Sequence, residues 1–305
     1  QCDAYYMRDG SDCPGKDSEY SEYPAYANHI DSRPRAEGFV TDENKDQYPE
    51  LGERRVGVSM QYVRREPRFY ASVAYNGASW YLLNEPNQND RDKQVFYYRG
   101  GGNGYTNTMF WLRTGIGVMK FVHPDDTYRG GDLERVRKKA EPAIRYAEIL
   151  LIYAEALNEL DGTYNITSWD GETQYTIRRD INEMKKGIRP IRCRAGMPDY
   201  TMPEYTDKEI FREKLKRERQ IELMGEGHRY YDIRRWKDAN VEEALPIYGC
   251  NTLMTEKWRD LFHVPVPVPS LPTNFSRKMY FWPISYSELK RNVLLTQNPG
   301  WTYND

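Results

Sequence analysis

Between Glu226 and Trp236 the chain reads EGHRYYDIRRW, placing carboxylate, imidazole, guanidinium, phenol and indole within eleven residues. Acid, base and cation at this density are the raw material of a catalytic centre. Just upstream, in KRERQIELMGEG, Glu218 and Glu222 stand one helical turn apart and Glu226 follows Gly225, so the three acids line one side of a helix and its exit. A paired-carboxylate hydrolase or a carboxylate metal site can be built from such a row. Against it, Arg217, Arg219, Arg229, Arg234 and Arg235 surround the acids. Guanidiniums hold carboxylates ionised in bidentate pairs instead of raising their pKa for acid catalysis. The pattern therefore favours a structural ionic cluster of Glu218, Glu222, Glu226, Arg229 and Arg234 across a helix junction, with no catalytic residue. His228 lacks an HxH or HxxxH partner and reads as a hydrogen-bonded junction residue. Gly225 and Gly227 end one helix and let the next start at an angle.

Other constellations are weaker. RGGGNGYTN, from Arg99 to Asn107, resembles a phosphate-cradling loop, but no G-K-[ST] follows and a ligand or partner loop is the better reading. Asp9, Asp12 and Asp17, and separately Asp125, Asp126 and Asp132, form oxygen-rich turns. Neither set has EF-hand spacing, so calcium is the one metal left open and solvated turns are favoured. The cysteines, Cys2, Cys13, Cys193 and Cys250, lack CxxC spacing; a Cys2 to Cys13 disulfide is sterically feasible in an extracellular compartment.

The elements that must position these groups change character near Leu133. Residues 1–132 are dense in Gly, Pro, Asn, Asp and Tyr and read as loops with a few short strands, RFYASVAY among them. Residues 133–305 read as helices with a wrapped tail. PAIRYAEILLIYAEALNEL starts with Pro142 in the first turn and stops at Asp161-Gly162. A second helix covers TIRRDINEMKKGIRPIRCRAG with a break or kink at Pro190, and a third runs from an Asp207 cap through DKEIFREKLKRERQIELMGEG. The first two form an antiparallel pair, close-packed through Ala147, Ala154 and Ala156, as in tetratricopeptide-like repeats. One short helix follows Ser285 in the tail.

The balance of 44 basic and 46 acidic side chains over 305 residues, interleaved along the chain, implies no nucleic-acid partner. The longest apolar run, ILLIYA near Ile149, is too short to cross a bilayer. Tyrosine is the anomaly: 26 Tyr beside 7 Trp in a polar chain, which implies either a recognition surface of amphipathic rings or large side chains at the edge of a helical core.

IRYAEILLIYAEALNEL, REPRFYASVAYNGASW, RQIELMGEGHRYYDIRRW and WPISYSELKRNVLLTQNPGW resemble, in order and spacing, four signatures of the SusD/RagB family of outer-membrane nutrient-binding lipoproteins. The resemblance implies a mostly α, SusD-like fold, with tetratricopeptide-like helix pairs as scaffold and a loop-rich region with a few short strands carrying the ligand site. It further implies that this chain is the C-terminal part of the family pattern, the helical N-terminal half and a lipid anchor lying outside it. The implied activity is non-enzymatic: binding of oligosaccharide, or of peptide as in RagB-like members, at the outer-membrane cell surface, and delivery to a SusC-like TonB-dependent transporter. A glycan hydrolase and a helical adaptor are the rival readings.

If the ligand is a sugar, its C–H face needs a flat ring bordered by amides. ASWYLLNEPNQND supplies Trp80 and Tyr81 followed by Asn84, Asn87, Gln88 and Asn89, while Asn103 and Asn107 flank Tyr105 in NGYTNTMFW, which ends at Trp111. The expected ligand-binding residues are thus Trp80, Tyr81, Asn84, Tyr105 and Trp111, with Trp80 as a core plug beneath its strand the competing role.

Overall fold

The computed structural model describes residues 2–106, 109, 111–127, 136–271 and 273–303. Asn107 and Asp132 of the candidate sites lie outside the described residues. Helix is the main regular structure, and the strands, of two to four residues, form four separate antiparallel pairs among the described residues. None of the described helices is long and apolar enough to cross a membrane.

The scaffold is a helix pair backed by a third helix. Helix α2, Tyr146–Glu159, packs on α3, Ile181–Arg194, and on α5, Lys208–Glu222. Leu151, Ala154 and Leu157 of α2 recur at helical spacing and are buried with Met184, Ile188 and Ile191 of α3 and Phe211 and Leu215 of α5. Contact between α2 and α3 is close enough that a Cβ on Gly187 would lie 2.5 Å from the Leu150 carbonyl oxygen and 2.8 Å from the Ala154 Cβ. Ala147 packs inward as well, whereas Ala156 faces out with exposed Tyr146, Ile149, Ile152 and Tyr153. Asp207 caps α5 through Oδ1, which accepts from the amides of Glu209 and Ile210 at 2.9 and 3.0 Å.

Three boundaries differ from expectation. Helix α2 starts at Tyr146 instead of near Pro142, because Arg145 is held extended, at φ −106°, while its side chain bonds to Glu222 and Glu226. Thr176 and Ile177 belong to a hairpin, β5 Tyr164–Thr167 with β6 Gln174–Ile177, so α3 starts only after the Asp180 cap. Pro190 does not end α3. It sits on the exposed side of the helix, away from the packed face of Met184, Ile188 and Ile191. RFYASVAY is likewise not a strand: α1, Pro67–Ser72, precedes a two-residue strand β1, Val73–Ala74, which pairs with β4, Gly117–Val118. Pro67 supplies no amide to a ladder and its fixed φ suits a first helical turn, and Arg68, Phe69 and Ser72 then bury one helical face.

A second core explains the tyrosine count. Tyr5, Tyr6, Tyr62, Phe69, Tyr75, Tyr97 and Phe262 are buried together, with Phe69 stacked on Tyr75 at 5.5 Å and 15° and on Tyr62 at 6.1 Å and 24°. In a region with little regular structure, large rings supply the apolar area that strands and helices would otherwise bury. Ala195, Met197, Ile221, Cys250 and Phe262 join this core from beyond residue 132.

The C-terminal part continues with α4, Met202–Thr206; α6, His228–Arg235; α7, Ala239–Glu242; α8, Arg259–Phe262; and α9, Tyr286–Arg291 after Ser285. Between α5 and α6, Gly225 and Gly227 take φ of 77° and 83°, a left-handed bend that favours glycine.

Candidate functional site

The row of acids on α5 is enclosed by cations. Glu218 Oε1 accepts from Arg68 Nη1 at 2.6 Å, and its Oε2 from Arg192 Nη1 at 2.9 Å and from the Tyr200 hydroxyl at 3.4 Å. Glu222 shares Arg68 Nη1 at 3.1 Å, and takes Arg145 at 3.2 Å and Arg194 at 2.6 Å. Glu226 meets Arg145 through two bonds of 2.7 and 2.8 Å and also Lys120. Burial alone would raise the Glu218 carboxyl, but Arg68 and Arg192 outweigh it and hold it below the usual range. Glu226 is lowered too, burial being outweighed by Arg145 and Lys120. Such carboxylates are poor proton donors at neutral pH.

The arginines of this cluster are not the ones its sequence neighbourhood offers. Arg229 pairs with Glu242 and Arg234 with Glu243, both outside the row of three acids. The glycine bend carries α6 away from α5, which turns these side chains toward α7 and the residue after it. Their places are taken by Arg68 of α1, Arg145 before α2, and Arg192 and Arg194 at the end of α3 and its last turn. Arg219 and Asp232 form a separate buried pair at 2.8 and 3.0 Å, and His228 Nδ1 lies 3.6 Å from Glu148.

The other polar turns are also internally satisfied. Asp9 accepts from Ser11, Asp12 from Arg217, and Asp17 from Lys16. Asp125 lies 3.2 Å from Arg137. Asp126 is held down to about 2: desolvation opposes ionisation, but Lys139 and the amides of His123 and Arg137 prevail. Asp3, Asp17 and Glu19 bring carboxylate oxygens within 4.8 Å of one another, and Arg35 bonds the first and third. The Arg99 loop is a tight turn: the amide of Gly101 donates to Tyr98 and that of Asn103 to Phe96, and a Cβ at Gly104 would collide with the Tyr98 carbonyl. The amides of Arg99, Gly101, Asn103 and Gly104 are spent on the chain itself instead of surrounding a phosphate. All four cysteines are unpaired.

The five expected ligand residues fall in two groups. Trp80 and Tyr81 lie on β2, Ser79–Tyr81, paired with β3, Asp92–Gln94. Trp80 is half-buried against the aromatic core, with its indole N–H enclosed and unpaired, whereas Tyr81 is 45 % exposed with its hydroxyl over Gly52. Asn84 is exposed, its Nδ2 3.4 Å from the Asp125 carbonyl. Beside it opens a cleft of about 510 Å³ lined by His123, Asp125, Arg137, Lys138 and Lys139. Tyr105 and Trp111 meet edge to face at 5.3 Å and 84°, each half-buried. No ring contact joins the two groups among the described residues. Asn87 is exposed but caps its own turn through the Asn89 amide at 3.0 Å.

Three exposed indoles were missed by sequence reasoning, Trp282 among them, 72 % exposed and 6.3 Å from the Tyr230 ring. Trp258, 52 % exposed, stands in the turn before α8, which is tied to the Arg99 loop by the Arg99–Thr255 bridge. Trp169 caps the β5–β6 hairpin. Its signal was present: YNIT and QYTI alternate on either side of an Asp-Gly turn.

The sequence profile of the SusD family matches residues 1–301. A SusD-like protein P2 from Formosa agariphila is 31 % identical over 160 residues, 52 % of this chain and 25 % of that protein. A solved SusD-like protein from Bacteroides fragilis superposes with a TM-score of 0.65 at 25 % identity, over 98 % of this chain and 46 % of that one. A SusD-like carbohydrate-binding protein from the same species gives 0.56 at 24 % identity, over 97 % and 47 %. The chain thus spans a quarter of the curated relative and less than half of these solved ones.

Proposed function

The chain belongs to the SusD family, and on that premise we propose that it binds oligosaccharide at the bacterial outer surface and passes the intact ligand to a SusC-like TonB-dependent transporter. The observation that carries the reading is the family match along nearly the whole chain, joined to paired rings and amides in the loop-rich part. A solved relative of similar fold bears the name of a carbohydrate-binding protein, which supports sugar as the ligand class.

In this reading residues 1–132 are the ligand-binding part and the helices from 133 onward the scaffold. Asn84 lies beside the cleft at His123 and Asp125, Tyr81 stands exposed on β2 beside Gly52, and Tyr105 with Trp111 offers a second platform. Pyranose C–H groups lie on the rings while amides and cations meet the hydroxyl rim. The ionic cluster is structural: it locks α1, α3 and α5 together and performs no chemistry. Attachment to the outer membrane is through a lipid anchor.

Calorimetric titration of the full-length protein against a panel of glycans and peptides, with the recovered ligand analysed by chromatography, tests this. Saturable binding of an intact glycan is expected. Cleaved product would favour a hydrolase, and binding of peptides alone would replace sugar as the ligand.

A further inference from the structure

The cleft beside Asn84 stands on a frame built around one acid. Asp126 is buried, and its Oδ2 accepts from the His123 amide at 3.0 Å and its Oδ1 from the Arg137 amide at 2.7 Å, while Lys139 pairs with the same carboxylate. Residues 123–126 and 137–139 are thereby held against each other, so little conformational entropy remains to be lost when a ligand enters. The Leu83 amide donates to the Pro124 carbonyl at 2.6 Å, which makes the cleft continuous with the segment that follows Trp80 and Tyr81. Its volume of about 510 Å³ is within the range of small-ligand sites, about 300 to 1,000 Å³.

What lines the cleft is one-sided in its chemistry. Four of the five residues from 135 to 139 are basic in a chain whose net charge is −2. Arg137, Lys138 and Lys139 of this run line the cleft with His123, and Asp125 is the one side-chain acceptor on its wall. His123 Nδ1 accepts the Asp125 amide at 3.1 Å, so the neutral ring carries its proton on Nε2 and is a further donor. Both acids are already matched, Asp125 by Arg137 at 3.2 Å and Asp126 by Lys139. Lys138 has no hydrogen bond or ion pair among the described residues, and its ammonium is the surplus charge of the cleft. A neutral sugar hydroxyl donates as well as accepts and is matched by a mixture of acceptors and donors; a wall of donors with a spare cation matches an anion.

We infer that this cleft takes an acidic sugar unit, whose carboxylate or sulfate is met by Lys138 and Arg137. The inference rests on the oligosaccharide binding proposed above and adds the charge class of the ligand. Arg137 commits one nitrogen to Asp125 and keeps further N–H groups in the planar fork that suits either anion, and Lys138 adds a point charge. Both side chains reach solvent, so the attraction is salt-sensitive, exposed charges being screened over about 8 Å at physiological ionic strength.

The test titrates the full-length protein by calorimetry with neutral, uronate-containing and sulfated oligosaccharides, each acidic one beside its methyl-esterified or desulfated counterpart, and repeats the titrations with Lys138→Gln, Arg137→Gln and, as a control that removes one positive charge elsewhere, Lys290→Gln. The expected result is binding of an acidic oligosaccharide that weakens at least tenfold when its anion is masked, weakens further as sodium chloride is added, and falls at least tenfold in Lys138→Gln and Arg137→Gln at unchanged melting temperature, with Lys290→Gln like the unmodified protein. Which counterpart loses affinity, the ester or the desulfated form, tells carboxylate from sulfate. Binding of neutral oligosaccharides alone, equal in all variants, overturns the inference and leaves sugar binding intact. Binding of an acidic oligosaccharide undiminished in Lys138→Gln and Arg137→Gln overturns the cleft as its site. No binding of any oligosaccharide overturns the proposed function and the inference together.

Discussion

Arg68 and Glu218 are 150 positions apart in sequence and 2.6 Å apart in the fold. The same guanidinium nitrogen reaches Glu222 at 3.1 Å, so one side chain from the loop-rich part closes the acid row of the helical part. Neither group is accessible to solvent in any useful degree. Stranding one partner of a buried ion pair costs about 3 to 5 kcal/mol. Glu222→Ala and Arg68→Ala should each lower the melting temperature sharply. Arg229→Ala, which breaks a partly exposed pair with Glu242, should cost no more than about 1 kcal/mol. Thermal melts of the three variants side by side check the ranking; a retained melting temperature in Glu222→Ala would remove the structural role.

Stability should fall in acid, and His263 is one source of the fall. His263 is buried beside Phe262 and Phe39, 3.4 Å from the Tyr62 hydroxyl, and burial with the nearby Arg259 lowers its pKa from 6.5 to about 4. The unfolded chain takes up this proton first, so the contribution is present above pH 6.5 and is lost as pH falls from 6.5 to 4. A shift of this size corresponds to about 3 kcal/mol. Glu218, with its carboxyl below the usual range, adds a loss at still lower pH, while Glu66, raised by burial against Arg68, works in the opposite direction. Denaturant titrations from pH 7 to 4 should show the fall, and His263→Gln should flatten it between 6.5 and 4; an equal slope in both proteins would contradict it.

Much of this was readable in the sequence, and the misses have physical reasons. The α2/α3 pair, the Asp207 cap and the Gly225–Gly227 bend follow from local periodicity and backbone freedom, which sequence displays directly. The acid row was equally visible. Its guanidinium partners were not, because Arg68, Arg145, Arg192 and Arg194 reach it by tertiary packing, which leaves no spacing to read. Arg229 and Arg234, expected in the cluster, and Arg217 and Arg219, which flank Glu218 directly, pair elsewhere for the same reason. Tyrosine posed a related problem: Tyr5, Tyr6 and Tyr62 are core residues, but a phenol counts as amphipathic in any composition. Of the expected ligand rings, spacing found the Tyr105–Trp111 contact only as proximity, and it could not say that Trp80 leans on the core.

The close approach of α2 and α3 gives a substitution whose sign is reversed from the usual one. In an open helix Gly→Ala stabilises by roughly 1 kcal/mol. At Gly187 the added methyl would meet the Leu150 carbonyl and Ala154, so Gly187→Ala should instead destabilise by about 1 to 3 kcal/mol. Chemical denaturation measures it; a gain in stability would mean that the two helices are not in this contact.

The central claim, a sugar platform in the loop-rich part, is tested most directly by titrating the full-length protein and its Tyr81→Ala, Tyr105→Ala and Trp80→Ala variants with the glycan that binds the unmodified protein, each paired with a thermal melt. Tyr81→Ala and Tyr105→Ala should weaken binding by about 1 to 3 kcal/mol with little change in melting temperature. Trp80→Ala should lower the melting temperature as well, since its ring packs on the aromatic core. Unchanged affinity in both tyrosine variants would contradict the account and place the ligand away from these rings.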